Sequence, residues 1–234
     1  MKLARLVRTV KRIRRDRSGL ALIEFAIVLP ALLALSLTGA EITNFITTKM
    51  QVSQLALVLA DNAARMGAGS PLSAKTISEA DINDIFTGAN LQSGSLNLRA
   101  NGRVILSDVE QDPLNAGKYQ IKWQRCYGAK TSHASTYGTA PTNNLTGMGP
   151  AGRQVGAQDS NATMFVEVYY VYKPLVSASL VPATTLTEIA SMSVRERRDL
   201  STIVAPSGVV ISTCRPVRQQ QDGANRRPAR YCCL

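Results

Sequence analysis

The chain has 234 residues, 45% of them hydrophobic, and a formal net charge of +11. This composition excludes a disordered or collagen-like chain and leaves room for one domain with an anchor. The positive charge is concentrated, because residues 1–19 carry eight of the 27 Lys and Arg residues and a single acidic residue. The strong basic character therefore belongs to an N-terminal arm rather than to the body of the protein.

The basic arm leads directly into an apolar segment. A basic arm can neutralise nucleic-acid phosphates, but positive flanks are also what holds the end of a membrane helix in the cytoplasm. We therefore interpret residues 1–19 as a basic leader that sets membrane topology, and we expect no nucleic-acid partner.

Residues 20–40 read LALIEFAIVLPALLALSLTGA, with Glu24 as the one ionisable side chain. About 20 apolar residues suffice to cross a bilayer as a helix, and membrane helices tolerate a proline such as Pro30. The sequence predicts a transmembrane helix with a cytoplasmic N-terminus and an extracytoplasmic C-terminus. The alternative is a cleaved secretory signal, although the apolar part of such signals is shorter, roughly 7–15 residues.

Glu24 is the unusual residue of this segment. An unpaired carboxylate in a membrane helix costs on the order of 2 kcal/mol or more, and such residues are functional by default. The sequence therefore predicts a cationic partner for Glu24 at the same depth.

The residues around Glu24 form a recognisable pattern: Gly19, then apolar Leu20, then Glu24 followed by Phe25. This pattern resembles the processing motif of type IV prepilins, which a membrane-embedded prepilin peptidase cuts after the glycine. The longer stretch RSGLALIEFAIVLPALLALSLTGAEI, with LALVLADNAARMGA further on, resembles the TadE/TadF pseudopilins of the tight-adherence (Tad, Flp-type) pilus system.

The resemblance implies cleavage after Gly19, which would free an amino group on Leu20. A neighbouring subunit's amino group could then pair with Glu24. It also implies a structural role in pilus assembly and adhesion, without enzymatic activity, cofactor or metal. The implied partners are prepilin peptidase, other pilins and pseudopilins, and the Tad secretion machinery. The implied location is the bacterial inner membrane, single-pass, with a periplasmic C-terminal domain and association with the pilus.

Residues 41–69 are expected to continue the helix outside the membrane. No Gly or Pro occurs between 41 and 66, and the apolar residues there follow helical spacing. Gly67, Gly69 and Pro71 are expected to end the helix. That stripe could pack on the chain's own domain or on a partner's helix. We expect Glu41 to be a solvated carboxylate where the helix leaves the membrane.

Residues 70–214 are expected to form an α+β domain. A short helix is predicted before residue 90, with a capping box of Ser78 and Asp81 and a stop at Gly88. Asn101-Gly102 predicts a tight β-hairpin.

Three further stretches suggest strands: 118–128, 163–176 and 184–199, the last ambiguous with helix. Together the elements predict an α+β fold in which a long N-terminal helix, membrane-spanning in its first half, packs on an antiparallel sheet. The resemblance implies the same pilin-like architecture.

Residues 129–162 are rich in Gly, Ser, Thr, Asn and Pro and show no periodicity, which predicts a long loop. His133 within it is expected to be a surface residue. An alternative function uses this loop as the recognition surface of an unprocessed, membrane-anchored binding module. A third candidate is an exported enzyme released by signal peptidase, for which the sequence suggests no chemistry.

The four cysteines allow three disulfide pairings. We favour Cys126–Cys214, because Cys126 ends a predicted strand and Cys214 follows the sheet region. Cys232 and Cys233 leave intermolecular linkage open, in a tail, 215–234, that is basic and expected to be flexible. The spacing contains no Cys-x-x-Cys pair and the chain has one histidine, which argues against zinc.

Overall fold

The computed structural model describes residues 18–70 and 73–214, apart from the side chains of Ser18 and Ala21. The leader up to residue 17, Pro71, Leu72 and the tail 215–234 with Cys232 and Cys233 lie outside the described residues. The chain divides into two compact units. The smaller contains the chain up to Phe45 together with Pro174–Pro182; the larger contains Ile46–Lys173 and the chain from Ala183 onward.

The described helices and strands follow the predicted α+β order. The helices are α1 (Ser18–Arg65), α2 (Glu79–Gln92) and α3 (Leu98–Asn101), with 3-10 turns at Gly94–Leu96 and Ala178–Leu180. The strands are β1 (Lys75–Ser78), β2 (Gly102–Gln111), β3 (Tyr119–Tyr127), β4 (Thr142–Leu145), β5 (Thr163–Val171), β6 (Thr185–Ser193) and β7 (Arg198–Val204).

Five strands form one antiparallel sheet in the order β4-β3-β2-β5-β6. Strand β2 lies at its centre, paired with β3 on one side and β5 on the other, and it is buried along nearly its whole length. Strands β1 and β7 form a separate, parallel two-stranded sheet. The long apolar helix and the antiparallel sheet confirm the coarse fold class predicted from the sequence.

In the larger unit, the α1 residues from Ile46 onward bury one face. The fully or nearly fully buried side chains are Val52, Leu55, Ala56, Leu59, Ala60, Ala63 and Ala64. Polar contacts join this part of α1 to the chain's own β-domain: Lys49 pairs with Glu188 at 3.9 Å and Asp61 with Arg195 at 3.2 Å. The stripe that the sequence left open between the chain's own domain and a partner therefore lies on its own domain.

Helix α1 ends at Arg65, close to the predicted stop. Gly67 follows with a φ of 114°, and a Cβ there would come within 2.9 Å of the Thr76 carbonyl oxygen. Only glycine takes this backbone conformation at so close an approach without strain. The glycine signal for the end of the helix is confirmed.

The capping box that starts α2 is confirmed. The Asp81 amide donates to Ser78 Oγ at 3.2 Å, and the Ser78 amide donates to Asp81 Oδ2 at 2.8 Å. The predicted stop at Gly88 is wrong, because α2 continues to Gln92. Nothing crowds a Cβ at Gly88, so this glycine is simply tolerated inside the helix at a modest cost.

The predicted hairpin at Asn101-Gly102 is wrong. Asn101 ends α3 and its side chain donates to the Leu96 carbonyl oxygen at 3.0 Å. Gly102 has an extended backbone, and a Cβ there would lie 2.9 Å from the Tyr169 carbonyl oxygen. Gly102 allows β2 to approach β5 closely and does not form a turn.

The hairpin that does form joins β2 to β3 through residues 112–118. Asp112 organises this turn, because its carboxylate accepts from the Leu114 amide and the Asn115 side chain, both at 2.9 Å. Strand β3 agrees with the prediction for 118–128, and the ambiguous stretch 184–199 contains strand β6 and the start of β7.

The segment 129–162 is more ordered than the predicted loop. It contains β4 and a bridge between Met148 and Val155. Met148 joins a buried apolar cluster with Val109, Ile121 and Phe165 of the main sheet. The segment therefore covers a face of the sheet, which a search for periodicity along the chain alone does not reveal.

Candidate functional site: an exposed apolar helix and its flanking contacts

The first part of α1 exposes an unbroken apolar surface. Eleven large hydrophobic side chains between residues 20 and 37 are exposed: Leu20, Leu22, Ile23, Phe25, Ile27, Val28, Leu29, Leu32, Leu33, Leu35 and Leu37. Leaving that many in water rather than burying them costs on the order of 15–30 kcal/mol. A surface of this kind requires lipid or an apolar partner.

The length of the segment matches a membrane. Residues 20–40 rise about 31 Å as a helix, against a hydrocarbon core of about 30 Å. Among the described residues, α1 is the one helix long and apolar enough to cross a membrane, with a mean hydropathy of 2.1 over its best window. A helix like this near the N-terminus is typical of a membrane span or of a signal sequence.

The residues of the predicted processing motif lie on this exposed helix. Leu20 and Phe25 are 66% and 62% exposed, Glu24 is also exposed, and nothing approaches a Cβ built at Gly19 within 4 Å. Leu20 and Glu24 are four residues apart and therefore share one side of the helix. Among the described residues, no side chain pairs with Glu24.

The burial of Glu41 differs from the sequence-based expectation. Glu41 is fully buried, and the Val176 amide donates to its Oε2 at 2.6 Å. The prediction of a solvated carboxylate is wrong, because the β5–β6 connection folds back onto the helix just after the apolar segment. No local pattern around Glu41 signals this, since the partner lies 135 residues away in the chain.

A second polar centre lies on the main sheet, where Asp108 and Glu110 are both buried on β2. Lys122 Nζ lies 3.3 Å from Glu110 Oε2, while Asp108 Oδ1 and Glu110 Oε1 have no hydrogen-bond partner within the described part of the chain. Burial raises the pKa of Asp108 well above its usual value and Glu110 raises it further, whereas Arg198 and Lys122 lower it.

Asp108 borders a cavity of about 270 Å³ whose lining also includes Lys122, Trp123 and Arg125. The Arg125 guanidinium is committed to Glu79, with Nε donating to the two carboxylate oxygens at 3.1 and 2.9 Å. The arrangement can hold a proton between two carboxyl groups. Within residues 18–70 and 73–214, no group of three or more His, Cys, Asp or Glu side chains is placed to hold a metal ion.

A third cluster joins the segment 129–162 to β5. Buried Glu167 accepts hydrogen bonds from Ser135 Oγ at 2.9 Å and Thr136 Oγ1 at 3.0 Å. His133 Nε2 lies 3.0 Å from Glu167 Oε1, and its ring stacks on Tyr169 at 4.1 Å.

The expectation of a surface His133 is correct only in part, because its side chain stays 20% exposed while its Nε2 contacts Glu167. A glutamate inside the apolar run TMFVEVYYV was the available sequence signal for such a buried centre. The hydroxyl of Ser135 donates to Glu167 rather than to His133, so the cluster does not form a nucleophile–base pair. It anchors the segment.

The structure joins Cys126 and Cys214 in a disulfide, the pairing favoured from the sequence. The Cys126 amide also donates to the Ser212 carbonyl oxygen at 2.8 Å, and Arg103 Nη2 donates to the Cys214 carbonyl oxygen at 2.8 Å. The chain up to Cys214 is thereby fastened to the sheet.

The chain matches no protein-family model, no curated protein and no solved structure. Function must accordingly be argued from the residues and their geometry.

Proposed function

We propose that the chain is a minor pseudopilin that takes part in assembly of a Tad-type (Flp) type IV pilus. In this proposal prepilin peptidase cuts after Gly19 at the cytoplasmic face of the inner membrane. The mature protein begins at Leu20, is held by the first part of α1, and contributes structurally rather than as an enzyme.

One observation carries the proposal. The exposed apolar surface of α1 bears the G-x4-E-F motif at its start, with Glu24 as the single ionisable residue between 20 and 40. A plain membrane anchor has no use for a carboxylate about one turn inside its helix, where an unpaired charge costs on the order of 2 kcal/mol or more. A subunit whose helix packs against others of its kind does have a use for it.

The chemistry of pairing follows from the cut. Hydrolysis of the Gly19–Leu20 peptide bond leaves a carboxylate on the leader and an amino group on Leu20. Glu24 lies about one helical turn further along the same side. The Leu20 ammonium of one subunit and Glu24 of a neighbour then neutralise each other in lipid, which favours addition of subunits in a fixed register.

The direct test is N-terminal sequencing, or intact mass, of the membrane-associated protein from cells. We expect the chain to begin at Leu20, shortened by the 19 residues of the leader. A mature N-terminus at Met1 would rule out processing, and one downstream of Ala40 would indicate signal peptidase and a released domain.

Replacing Glu24 tests the pairing separately from the cut. We expect Glu24→Ala to insert in the membrane and to lose pilus assembly, because the subunit amino group no longer has its counter-charge. Val28→Ala is the matched control, since it trims the same exposed helix without altering charge and should assemble normally. Normal piliation with Glu24→Ala, scored by electron microscopy, would contradict the pairing.

A further inference from the structure

The connection between β5 and β6 is unusual in composition and in position. Its residues 174–182 read PLVSASLVP and contain no charged side chain. Leu175 is 67% exposed and Val176 is 46% exposed. Two adjacent apolar side chains therefore point outward from a segment that belongs to the same compact unit as the apolar part of α1.

Buried Glu41 determines where along the axis of α1 the β5–β6 connection lies. The 2.6 Å hydrogen bond from the Val176 amide to Glu41 Oε2 places Val176 beside the residue that directly follows the apolar segment 20–40. One turn of helix rises about 5.4 Å. The headgroup region of one leaflet is about 5–8 Å deep, so Leu175 and Val176 lie within its reach.

We propose that Leu175 and Val176 form a second membrane contact, resting in the boundary between lipid headgroups and acyl chains beside the exit of α1. This inference rests on the proposed membrane anchoring of the protein. The occupant of the apolar surface is lipid, because Leu175 and Val176 belong to the same compact unit as the spanning helix and Val176 is hydrogen-bonded to the residue that directly follows the apolar segment. Lys173, exposed at the edge of the connection, can keep its ammonium group at the polar surface.

Glu41 acts as a positioning residue in this arrangement. A buried carboxylate that accepts a backbone amide offsets part of its desolvation cost. It also holds the connection against the helix instead of letting it extend away from the bilayer. Membrane contact at two points, α1 and the β5–β6 connection, would restrict how the protein tilts.

The test uses a tryptophan reporter, because the chain has a single native tryptophan, Trp123. In a Trp123→Phe background, we would reconstitute full-length Leu175→Trp in phosphatidylcholine vesicles with and without acyl chains brominated close to the headgroup. Leu33→Trp reports anchoring by α1. Leu114→Trp is the matched control, because Leu114 is 80% exposed in the β2–β3 turn, at the end of the sheet opposite the C-terminal end of β5.

We expect brominated lipid to quench Leu175→Trp at least about twofold, since interfacial side chains lie some 5–10 Å into the headgroup boundary. Leu33→Trp should also be quenched, because Leu33 lies within the spanning part of α1 and is exposed to lipid there. Leu114→Trp should be unaffected. Quenching at Leu33 with none at Leu175 would overturn the second contact and leave the anchor intact. No quenching at Leu33 would show that α1 is not in the membrane and would overturn both.

Val176→Trp gives a second reporter in case Leu175→Trp disturbs the connection. A blue-shifted but unquenched tryptophan at both positions would show that protein rather than lipid covers the surface, and would overturn the proposal. Adding Glu41→Ala to the Leu175→Trp protein should lower quenching, while Glu41→Gln, which keeps an acceptor oxygen, should largely preserve it. Equal quenching in all three would overturn the positioning role.

Discussion

Asp108 and Glu110 place two carboxyl groups on one face of β2, where alternate residues share a side of the strand. Both are buried, and their pairing raises the pKa of Asp108 as burial does. A group whose pKa is raised on folding stabilises the fold below its ordinary pKa, about 3.9 for Asp. That stability is lost as the pH rises through the raised value.

We therefore expect Asp108→Asn to stabilise the protein at pH 8 and to change it little at pH 4. The amide resembles the protonated acid and can still donate to Glu110, while it removes the cost of ionising a buried group. Thermal unfolding of the full chain in detergent micelles, measured between these pH values, checks the sign. A stability difference that does not grow with pH would contradict the raised pKa.

Asp112 provides a control whose pKa is shifted in the opposite direction from that of Asp108. Hydrogen bonds from Asn115 and from the amides of Leu114 and Asn144 lower the pKa of its carboxyl group. A lowered pKa contributes stability above the ordinary value and loses it as the pH falls. Asp112→Asn should thus destabilise the protein at neutral pH, with the difference fading on acidification.

At the scale of elements, the C-terminal end of α1 depends on one side chain from a distant strand. Arg198 of β7 donates from Nη2 to the carbonyl oxygens of Ala63, Ala64 and Met66, at 3.1, 3.2 and 2.8 Å. These carbonyls have no partner inside the helix, and a cation also interacts favourably with the helix dipole there. Burial lowers the pKa of Arg198, opposed by Asp108 and Glu196.

Removing this cap should be costly. We expect Arg198→Ala to lower the free energy of unfolding by about 2–4 kcal/mol, because buried carbonyls lose a charged donor. Arg195→Ala is the matched control: its ion pair with Asp61 is exposed at the surface and should cost less than about 1 kcal/mol. If urea unfolding curves give the same free energy of unfolding for Arg198→Ala and Arg195→Ala, the capping role is contradicted.

Contact between two strands also explains why the prediction of a hairpin at Asn101-Gly102 is wrong. Asn-Gly pairs favour tight turns through their own backbone preferences, yet Gly102 is required here for close approach to the backbone of β5. Packing between strands overrides a local preference when the alternative is a steric clash. The sequence around Asn101-Gly102 alone does not indicate that β5 lies next to Gly102.

At the scale of the whole molecule, the Cys126–Cys214 disulfide closes a loop with a sequence separation of 88. Cross-links of this kind stabilise mainly by restricting the unfolded chain, and removing one typically costs about 2–5 kcal/mol. The bridge joins β3 to the end of the described chain across most of the β-domain.

We expect the double variant Cys126→Ser/Cys214→Ser to unfold at lower denaturant concentration, by about 2–5 kcal/mol in free energy. Dithiothreitol should have the same effect on the wild type and none on the double variant. If reduction leaves the wild-type unfolding curve unchanged, the disulfide does not contribute to the stability of the domain.

The sequence by itself determined the features that depend on neighbours within a few residues. The apolar run of α1 with its single carboxylate, Glu24, and the Ser78–Asp81 capping box follow from local spacing. Each is set by helix geometry and by hydrogen bonds between residues at most four positions apart.

Only the tertiary structure decided which polar residues are buried and which groups they bind. Glu41, Asp108 and Glu167 look from the sequence like ordinary carboxylates, yet each is buried. Glu41 and Glu167 accept hydrogen bonds from segments 135 and about 31 residues away in the chain. Burial of a charge is decided by which distant elements pack over it, and that packing is a property of the assembled chain rather than of any stretch of it.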